Sequence, residues 1–546
     1  MDYDRYLNYE ELTTQLQEWV QSYPELAQLT SAGKSYEGRD IWALTISGGK
    51  EPAPDQKPAM YIEGNIHAGE VTASMVCLYT AQHLLDNYGS NDEVTHLLDT
   101  RTYYILPRVN PDGAEKYLTT PYTLRSSVKP YPDVETSSLP GLHPSDINGD
   151  GHILMMRVRD DKRGEWTVSK KDPRIMIRRT PGARGGPFYR IYPEGSIHEF
   201  EGEPFDVIRT PWGLDLNRNF PSNWDRSFVP GGTFPTSEPE VKAVVEFIVN
   251  HKNIGCLQSF HTSGGFFFRN PYQYNDDKMD AEDLRAMKEI ATQGKHLTGY
   301  PDVKSSNRST LPEWAYEHLG LIGYTSELWD RLGRAGLNSV ECMKITDPEK
   351  VEDMQVALMS WNDRELYGKG FVNWQEFEHP QLGRVEIGGW EPKYVVQNPP
   401  HHLLHQECHK NALWAIAHSA ALPELEIGEV KVQRLGNNTY KIDVAVHNNG
   451  YLPTHITNKG KEVAGLKPDR VRISGDGLTV VSGKAEVAVG FLQGYLNAAV
   501  GYMHTASAHS KSTAKASFTI NTAASNAVIE LCSQRAGTVR KEVELR

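Results

Sequence analysis

Strand-like and helix-like apolar patterns alternate along this chain as far as Ala421, and beyond Pro423 only short strand-like runs remain. That change of period limits the fold more than any other feature. Leu12, Leu16 and Val20 predict a helix over residues 9–23, residues 41–46 and 60–63 predict strands, and a second helix over 71–88 precedes a strand over 103–106. Alternation resumes with a strand over 256–260, helices over 281–297 and 313–319, a strand over 322–326 and a closing helix over 402–421. Such interleaving predicts an α/β fold, a mixed and mostly parallel sheet flanked by helices on both faces. Residues 119–211, rich in Pro, Gly, Arg and Asp with little periodicity, read as a long insertion in a first domain of residues 1–422. Past Pro423, runs at 429–433, 440–446, 485–489, 517–520 and 528–531 lie between Gly and Asn turns and predict an accessory antiparallel β-sandwich domain over 423–546. At 546 residues the chain is too long for one ordinary core, so at least two domains are expected.

Charge and composition narrow the partners. A net charge of -13 and a pI near 5.9 argue against a nucleic-acid binder, whose footprint is a basic surface. The apolar run 412–421 falls well short of the roughly 20 residues that span a bilayer, so no membrane partner is expected. The start, Met1-Asp2-Tyr3-Asp4-Arg5, lacks the basic and apolar segments of a secretory signal. The sequence as it stands therefore predicts a cytoplasmic location, and a periplasmic or secreted one if an N-terminal signal was removed. Five scattered cysteines without a Cys-x-x-Cys spacing suggest neither a disulfide framework nor a thiolate metal site.

The chemistry begins at His67-Ala68-Gly69-Glu70, where the strand over 60–63 runs into a loop and then an apolar helix. A hydrolytic zinc site takes three imidazole or carboxylate ligands and keeps a fourth position open. His and Glu three apart on one turn can supply two. The third must come from elsewhere, and His261, just after the strand over 256–260, stands where α/β sheets bind ligands. Glu327, ending another strand, is placed to act as the base that takes a proton from water.

With Asn110-Pro111-Asp112-Gly113 and Gly213-Leu214-Asp215-Leu216-Asn217-Arg218-Asn219-Phe220-Pro221, these pieces occur in the order found in the carboxypeptidase A-like zinc metallocarboxypeptidases, which the chain resembles as a divergent member over residues 6–421. The resemblance implies one catalytic Zn2+ held by His67, Glu70 and His261, and Glu327 as general base. It implies Asn217 with Arg218 as the pair that clasps the substrate's terminal carboxylate, a task suited to the forked guanidinium. The family also uses an arginine between the Asn-Pro-Asp-Gly turn and the Asn-Arg pair to stabilise the oxyanion, and Arg157 or Arg159 is expected in that role. Ser305 falls where the digestive members carry a mobile tyrosine, and Pro312 where basic-specific members carry an acid. The expected partner is a peptide or peptide-like substrate with a free C-terminal carboxylate. The expected reaction is hydrolysis of the C-terminal peptide bond by a zinc-activated water. The alternatives are a zinc amidase acting on peptidoglycan stem peptides or N-acyl amino acids, and an inactive peptidase-like binding protein.

Asp146-Ile147-Asn148-Gly149-Asp150-Gly151 copies the first half of a calcium loop, with Arg157 where the twelfth-position acid belongs. Ca2+ at Asp146, Asn148 and Asp150 is therefore a further expectation, against an ordinary Asx-turn loop.

Overall fold

The computed structural model describes residues 1–132, 136–202, 204–462, 465–497 and 511–546. Its centre is an eight-stranded mixed sheet built from β1 (Ala27–Lys34), β2 (Asp40–Ile46), β3 (Ala59–Gly64), β4 (Thr102–Leu106), β5 (Ile254–Thr262), β6 (Phe266–Arg269), β7 (Asp302–Lys304) and β8 (Ile322–Leu328). The strand order is β1-β2-β4-β3-β5-β8-β6-β7. The four central strands, β4, β3, β5 and β8, run parallel, so their carboxyl ends share one edge. β3, β4 and β5 are buried at every position, and their side chains are mostly apolar until the polar residues Glu63, Gln258, Ser259 and His261 toward the carboxyl ends of β3 and β5.

Helices α1 (Tyr9–Ser22), α2 (Val71–Asn87), α3 (Pro239–Asn250), α4 (Ala281–Thr298), α5 (Leu311–Leu319) and α6 (His401–Ala420) cover the sheet. One face packs under α2, α4 and α6 through Met60, Phe260, Leu78 and Trp414, the other under α3 and α5 through Tyr61, Leu257, Val244 and Trp314. A Cβ on Gly64 would come within 2.6 Å of the Ala73 carbonyl oxygen, so glycine there lets α2 turn back tightly against the end of β3. The predicted helix over 313–319 starts at Leu311, with Pro312 in its first turn where a missing N–H costs nothing.

The insertion has more order than its composition suggests. Met155–Arg159, Trp166–Val168, Met176–Arg178 and Phe188–Pro193 join Phe371–His379 and Gly383–Trp390 in a six-stranded antiparallel sheet. A second, unpredicted excursion after residue 337 thus completes the first. Ile175 and Phe371, from its two edge regions, meet in one small core with Met359.

From Leu425 onward two four-stranded antiparallel sheets enclose Ile442, Val444, Phe518, Ile529 and Leu531. This sandwich adds Leu452, Ile456 and Leu496 to the core that holds Ile290 and Trp414. Arg535 donates to the carbonyls of Ile254 and Leu319, at the amino end of β5. At about 3.3 Å per residue, that contact lies about 23 Å along the strand from His261. Among the described residues, no helix is long and apolar enough to cross a membrane.

Candidate metal and catalytic site

Parallel register places the predicted residues side by side. His261 pairs with Glu327 across β5 and β8, and Phe260 pairs with Gly64 across β5 and β3, so the tetrad turn, His261 and Glu327 end three adjacent strands. The turn after β3 is shaped by Asn65, at φ +60°, whose Nδ2 donates to the carbonyls of His67 (2.7 Å) and Ala68 (3.2 Å) and whose Oδ1 accepts from Ser74 (3.0 Å). Glu70 then occupies the position before the first residue of α2, where the helix dipole favours a negative charge.

His67, Glu70 and His261 are buried, and among the described residues they are the one group of three His, Cys, Asp or Glu whose ligand atoms converge, all within 4.8 Å. His67 Nδ1 lies 3.0 Å from Glu70 Oε1 and 3.0 Å from His261 Nδ1, which is 2.8 Å from Glu70 Oε2. Each imidazole is backed on its outer nitrogen. His67 Nε2 donates to Asp215 Oδ1 at 3.0 Å. His261 Nε2 lies 3.1 Å from Ser259 Oγ, which donates to Glu63 Oε1 at 2.9 Å. Protons on the outer nitrogens leave both Nδ1 lone pairs facing inward beside the carboxylate. That donor set, two oriented imidazoles and one carboxylate, fits a catalytic zinc ion.

The charges follow from these contacts. Burial disfavours a charged Glu70, yet His67 and His261 outweigh burial and hold its carboxyl well below the usual range. Asp215 is likewise held down by His67 and Arg125 against its burial. Burial raises Glu327, the charge of Glu70 adds to the rise, and His67, Arg125 and Arg218 oppose it, leaving a carboxyl that keeps its proton unusually well. Burial pushes Glu63 up to about 7, so the group behind Ser259 binds its proton more tightly than an ordinary carboxyl.

Asn217 and Arg218 sit on the tight turn Leu216–Arg218 beside the triad. Asn217 Nδ2 is 3.4 Å from His261 Nε2, and its Oδ1 accepts from Leu311 N at 3.2 Å. Arg218 donates to Asn217 O (2.8 Å) and to Asn307 Oδ1 (3.1 Å). Tyr272 is buried with its hydroxyl 3.3 Å from Thr325 Oγ1, close enough to Glu313 and Glu327 for their charges to raise its ionisation further above the rise from burial.

Neither Arg157 nor Arg159 reaches the site. Arg157 makes a two-pronged pair with Glu386 at 2.9 Å and lies over the rings of Tyr189 and Trp374, inside the six-stranded sheet. Arg159 is exposed and pairs with Asp161. The arginine at the site is Arg125, half-exposed, donating to Glu70 Oε1 and Asp215 Oδ2, both at 3.2 Å. Its signal was the sequence Leu124-Arg125-Ser126-Ser127, a buried leucine and two buried serines flanking one arginine just past the helix Pro111–Thr119. The insertion begins to leave the domain only after them.

The structure gives no support to the calcium expectation. Asp146 spends its carboxylate on Gly149 N (2.7 Å) and Gly151 N (2.8 Å), and Glu194 takes the N–H groups of Ile147, Asn148 and Leu154. This is an Asx-turn loop closed by its own backbone.

Comparison with known proteins identifies the family of residues 12–337. The family model described as "Zinc carboxypeptidase" matches residues 12–337, and one for a domain of unknown function (DUF8731) matches residues 424–544. A zinc carboxypeptidase from Saccharothrix mutabilis subsp. capreolus is 40% identical over 114 residues, 21% of this chain and 26% of that protein. Carboxypeptidase O of Bos taurus is 26% identical over 347 residues, 60% of this chain and 71% of that protein. Among solved structures, thrombin activatable fibrinolysis inhibitor aligns with a TM-score of 0.43 at 19% identity over 76% of this chain and 74% of its own.

Proposed function

This chain belongs to the zinc carboxypeptidase family, and from that premise we propose that it is a zinc-dependent metallocarboxypeptidase that hydrolyses the C-terminal peptide bond of peptides bearing a free carboxylate. One observation carries the proposal. The Nδ1 atoms of His67 and His261 and the Glu70 carboxylate converge on one point, and Glu327 stands directly across the register from His261.

His67, Glu70 and His261 would hold the zinc ion. When bound, zinc polarises the scissile carbonyl and acidifies water. The rest of the work falls to the chain. Glu327, kept basic by burial and by the charge of Glu70, takes a proton from the attacking water and returns it to the leaving amine, a shuttle worth about 10²–10⁴ in rate. Arg125, half-exposed beside Glu70, donates to the oxygen of the scissile carbonyl as negative charge develops there, the role first sought in Arg157 or Arg159. Arg218 forks onto the substrate's terminal carboxylate with Asn217 beside it, fixing the distance from chain end to scissile bond. Asp215 and Ser259 hold the imidazoles in the tautomer that keeps Nδ1 free of a proton.

The test joins metal content to substrate chemistry. Purified protein should retain about one zinc per chain. Glu327→Gln should lose about 10²–10⁴ in kcat while keeping the metal. An N-acylated dipeptide should be cut and its C-terminal amide left intact. Equal rates on the two would sink the carboxylate clasp, and full activity of Glu327→Gln would sink the base.

A further inference from the structure

Glu70 cannot serve two masters. It stands where a side chain should cap α2, but its carboxylate is turned to the two imidazoles and it makes no cap. The N–H groups of the first turn must then find another acceptor. Thr72 N finds Asn398 Oδ1 at 3.1 Å, and Thr72 Oγ1 donates to the same oxygen at 2.8 Å. The Nδ2 group of that fully buried asparagine donates to the carbonyl of Gly69 at 2.7 Å, inside the tetrad turn. One amide thus grips both sides of Glu70.

Asn398 lies on a strap, residues 391–400, that runs from the last strand of the six-stranded sheet to α6 and contains a single π-helical turn, Pro392–Gln397. Its neighbours address the other two turns of the site. Gln397 Nε2 donates to Thr262 O (2.8 Å) and Thr262 Oγ1 (3.0 Å), the residue after His261. Val395 O accepts from Trp329 Nε1 at 2.8 Å, two residues past Glu327. Trp329 has φ +64°, a conformation a bulky side chain keeps only when its surroundings impose it. Lys393 anchors the strap by donating to the carbonyls of Tyr117 and Thr120. The strap lies outside residues 12–337, the stretch shared with the family.

We propose that this strap is a positioning element for the metal site: Asn398 and Gln397 fix the tetrad turn and the His261 turn relative to one another, and Asn398 is a positioning residue for Glu70 and His67. The inference rests on reading His67, Glu70 and His261 as the zinc ligands. An asparagine is needed because one group must accept from Thr72 and donate to Gly69 at once, which neither aspartate nor an aliphatic side chain can do. Asn398 bonds the residues on either side of Glu70 rather than Glu70 itself; partners bonded directly to a ligand typically change metal affinity 10- to 100-fold, and Asn398 is expected at the low end of that range.

The test compares zinc affinity, by competition with a chelator, in the full-length parent, Asn398→Ala, Gln397→Ala and Asn253→Ala. Asn253 is a buried asparagine with comparable bonds, to Lys57 O (2.8 Å) and Pro54 O (3.1 Å), next to the opposite end of β5. It controls for a general loss of stability. Asn398→Ala should weaken zinc binding by about 10-fold and, in the metal-free protein, speed hydrogen exchange of the Thr72 amide. Asn253→Ala should change neither, even at an equal drop in metal-free melting temperature. An affinity for Asn398→Ala within about twofold of the parent, or a loss matched by Asn253→Ala, overturns the proposal. Should Asn398→Ala not fold, Gln397→Ala, which leaves the bonds of Asn398 in place, decides it: weaker zinc binding upholds the strap, and unchanged binding overturns it. A parent whose zinc affinity is untouched by His261→Ala would instead sink the ligand assignment, which separates the two failures.

Discussion

Asp215→Asn offers the most direct measure of how much the supports of the metal site contribute. Asp215 accepts from His67 Nε2 (3.0 Å) and Asn217 N (3.0 Å) through Oδ1 and from Arg125 Nε (3.2 Å) through Oδ2. Asparagine has the same shape, but only one of its two positions is an acceptor. If its oxygen keeps His67 and Asn217, its amino group faces the Arg125 guanidinium; if it turns over, the amino group faces the His67 N–H. The first arrangement is cheaper, because Arg125 is half-exposed and can turn to water at a cost of about 0–1 kcal/mol. Even so, the bond to His67 falls from charge-assisted, about 1.5–3 kcal/mol, to neutral, about 1 kcal/mol. The loss of about 0.5–2 kcal/mol in the orientation of one ligand corresponds to a zinc dissociation constant about 2–30 times higher. Chelator competition at pH 7 measures it, and melting of the metal-free protein reports the fold separately. A dissociation constant within about twofold of the parent, in a variant with unchanged metal-free melting, would refute the argument that Asp215 orients His67.

Other outcomes follow from the same geometry. Arg125→Ala should lower kcat by about 10²–10³ with zinc retained, whereas Arg157→Ala should leave kcat nearly unchanged and cost about 1–2 kcal/mol of stability, since it removes both bonds to the partly exposed Glu386; the reverse pattern would restore the role to the insertion. Glu240 is buried with one oxygen unpartnered, and burial raises its pKa from 4.5 to about 7. A raised carboxyl lends stability that is complete below the unfolded value and is lost as pH rises through the folded one. Glu240→Gln should therefore gain about 2–3 kcal/mol relative to the parent between pH 4.5 and 8, and parallel stability curves for the two proteins would contradict the assignment. A chain ending at Leu422 loses Leu452, Ile456 and Leu496 from the main core and should aggregate; a soluble, active truncated protein would show that the sandwich merely rides on the enzyme.

What the sequence made legible, and what it hid, divides by distance along the chain. Helix and strand periods were readable because an element's buried face is written within ten or twenty residues, and the predicted strands over 60–63, 256–260 and 322–326 lie inside β3, β5 and β8. The proposed ligands and base were readable for the same reason, since His67 and Glu70 share one turn and His261 and Glu327 stand at the carboxyl ends of β5 and β8. The six-stranded sheet was not, because Arg157 and Glu386, 229 residues apart, meet only when two excursions pair. Short strands with polar outer faces carry no local sign of their partners. Arg157 and Arg159 were drawn to the site by their position between two motifs, yet a position in sequence fixes nothing once a chain leaves the core.

The residues that support the site were hidden for a deeper reason. Turning Glu70 toward the metal site leaves the first turn of α2 uncapped, and turning Nδ1 of each histidine inward leaves each outer nitrogen in need of an acceptor. These deficits are visible locally, as a helix start without Ser, Thr, Asp or Asn and as histidines at the ends of apolar strands. Their remedies are far away: Asn398 reaches Gly69 across 329 residues and Asp215 reaches His67 across 148. Low protein dielectric makes an unmet polar group at such a site expensive, about 1–3 kcal/mol each, so every displaced bond must be replaced by something. A chain that reads as poorly capped at its most chemical turn is therefore one in which a distant side chain must be sought, and here the search leads to a strap from outside the shared catalytic stretch.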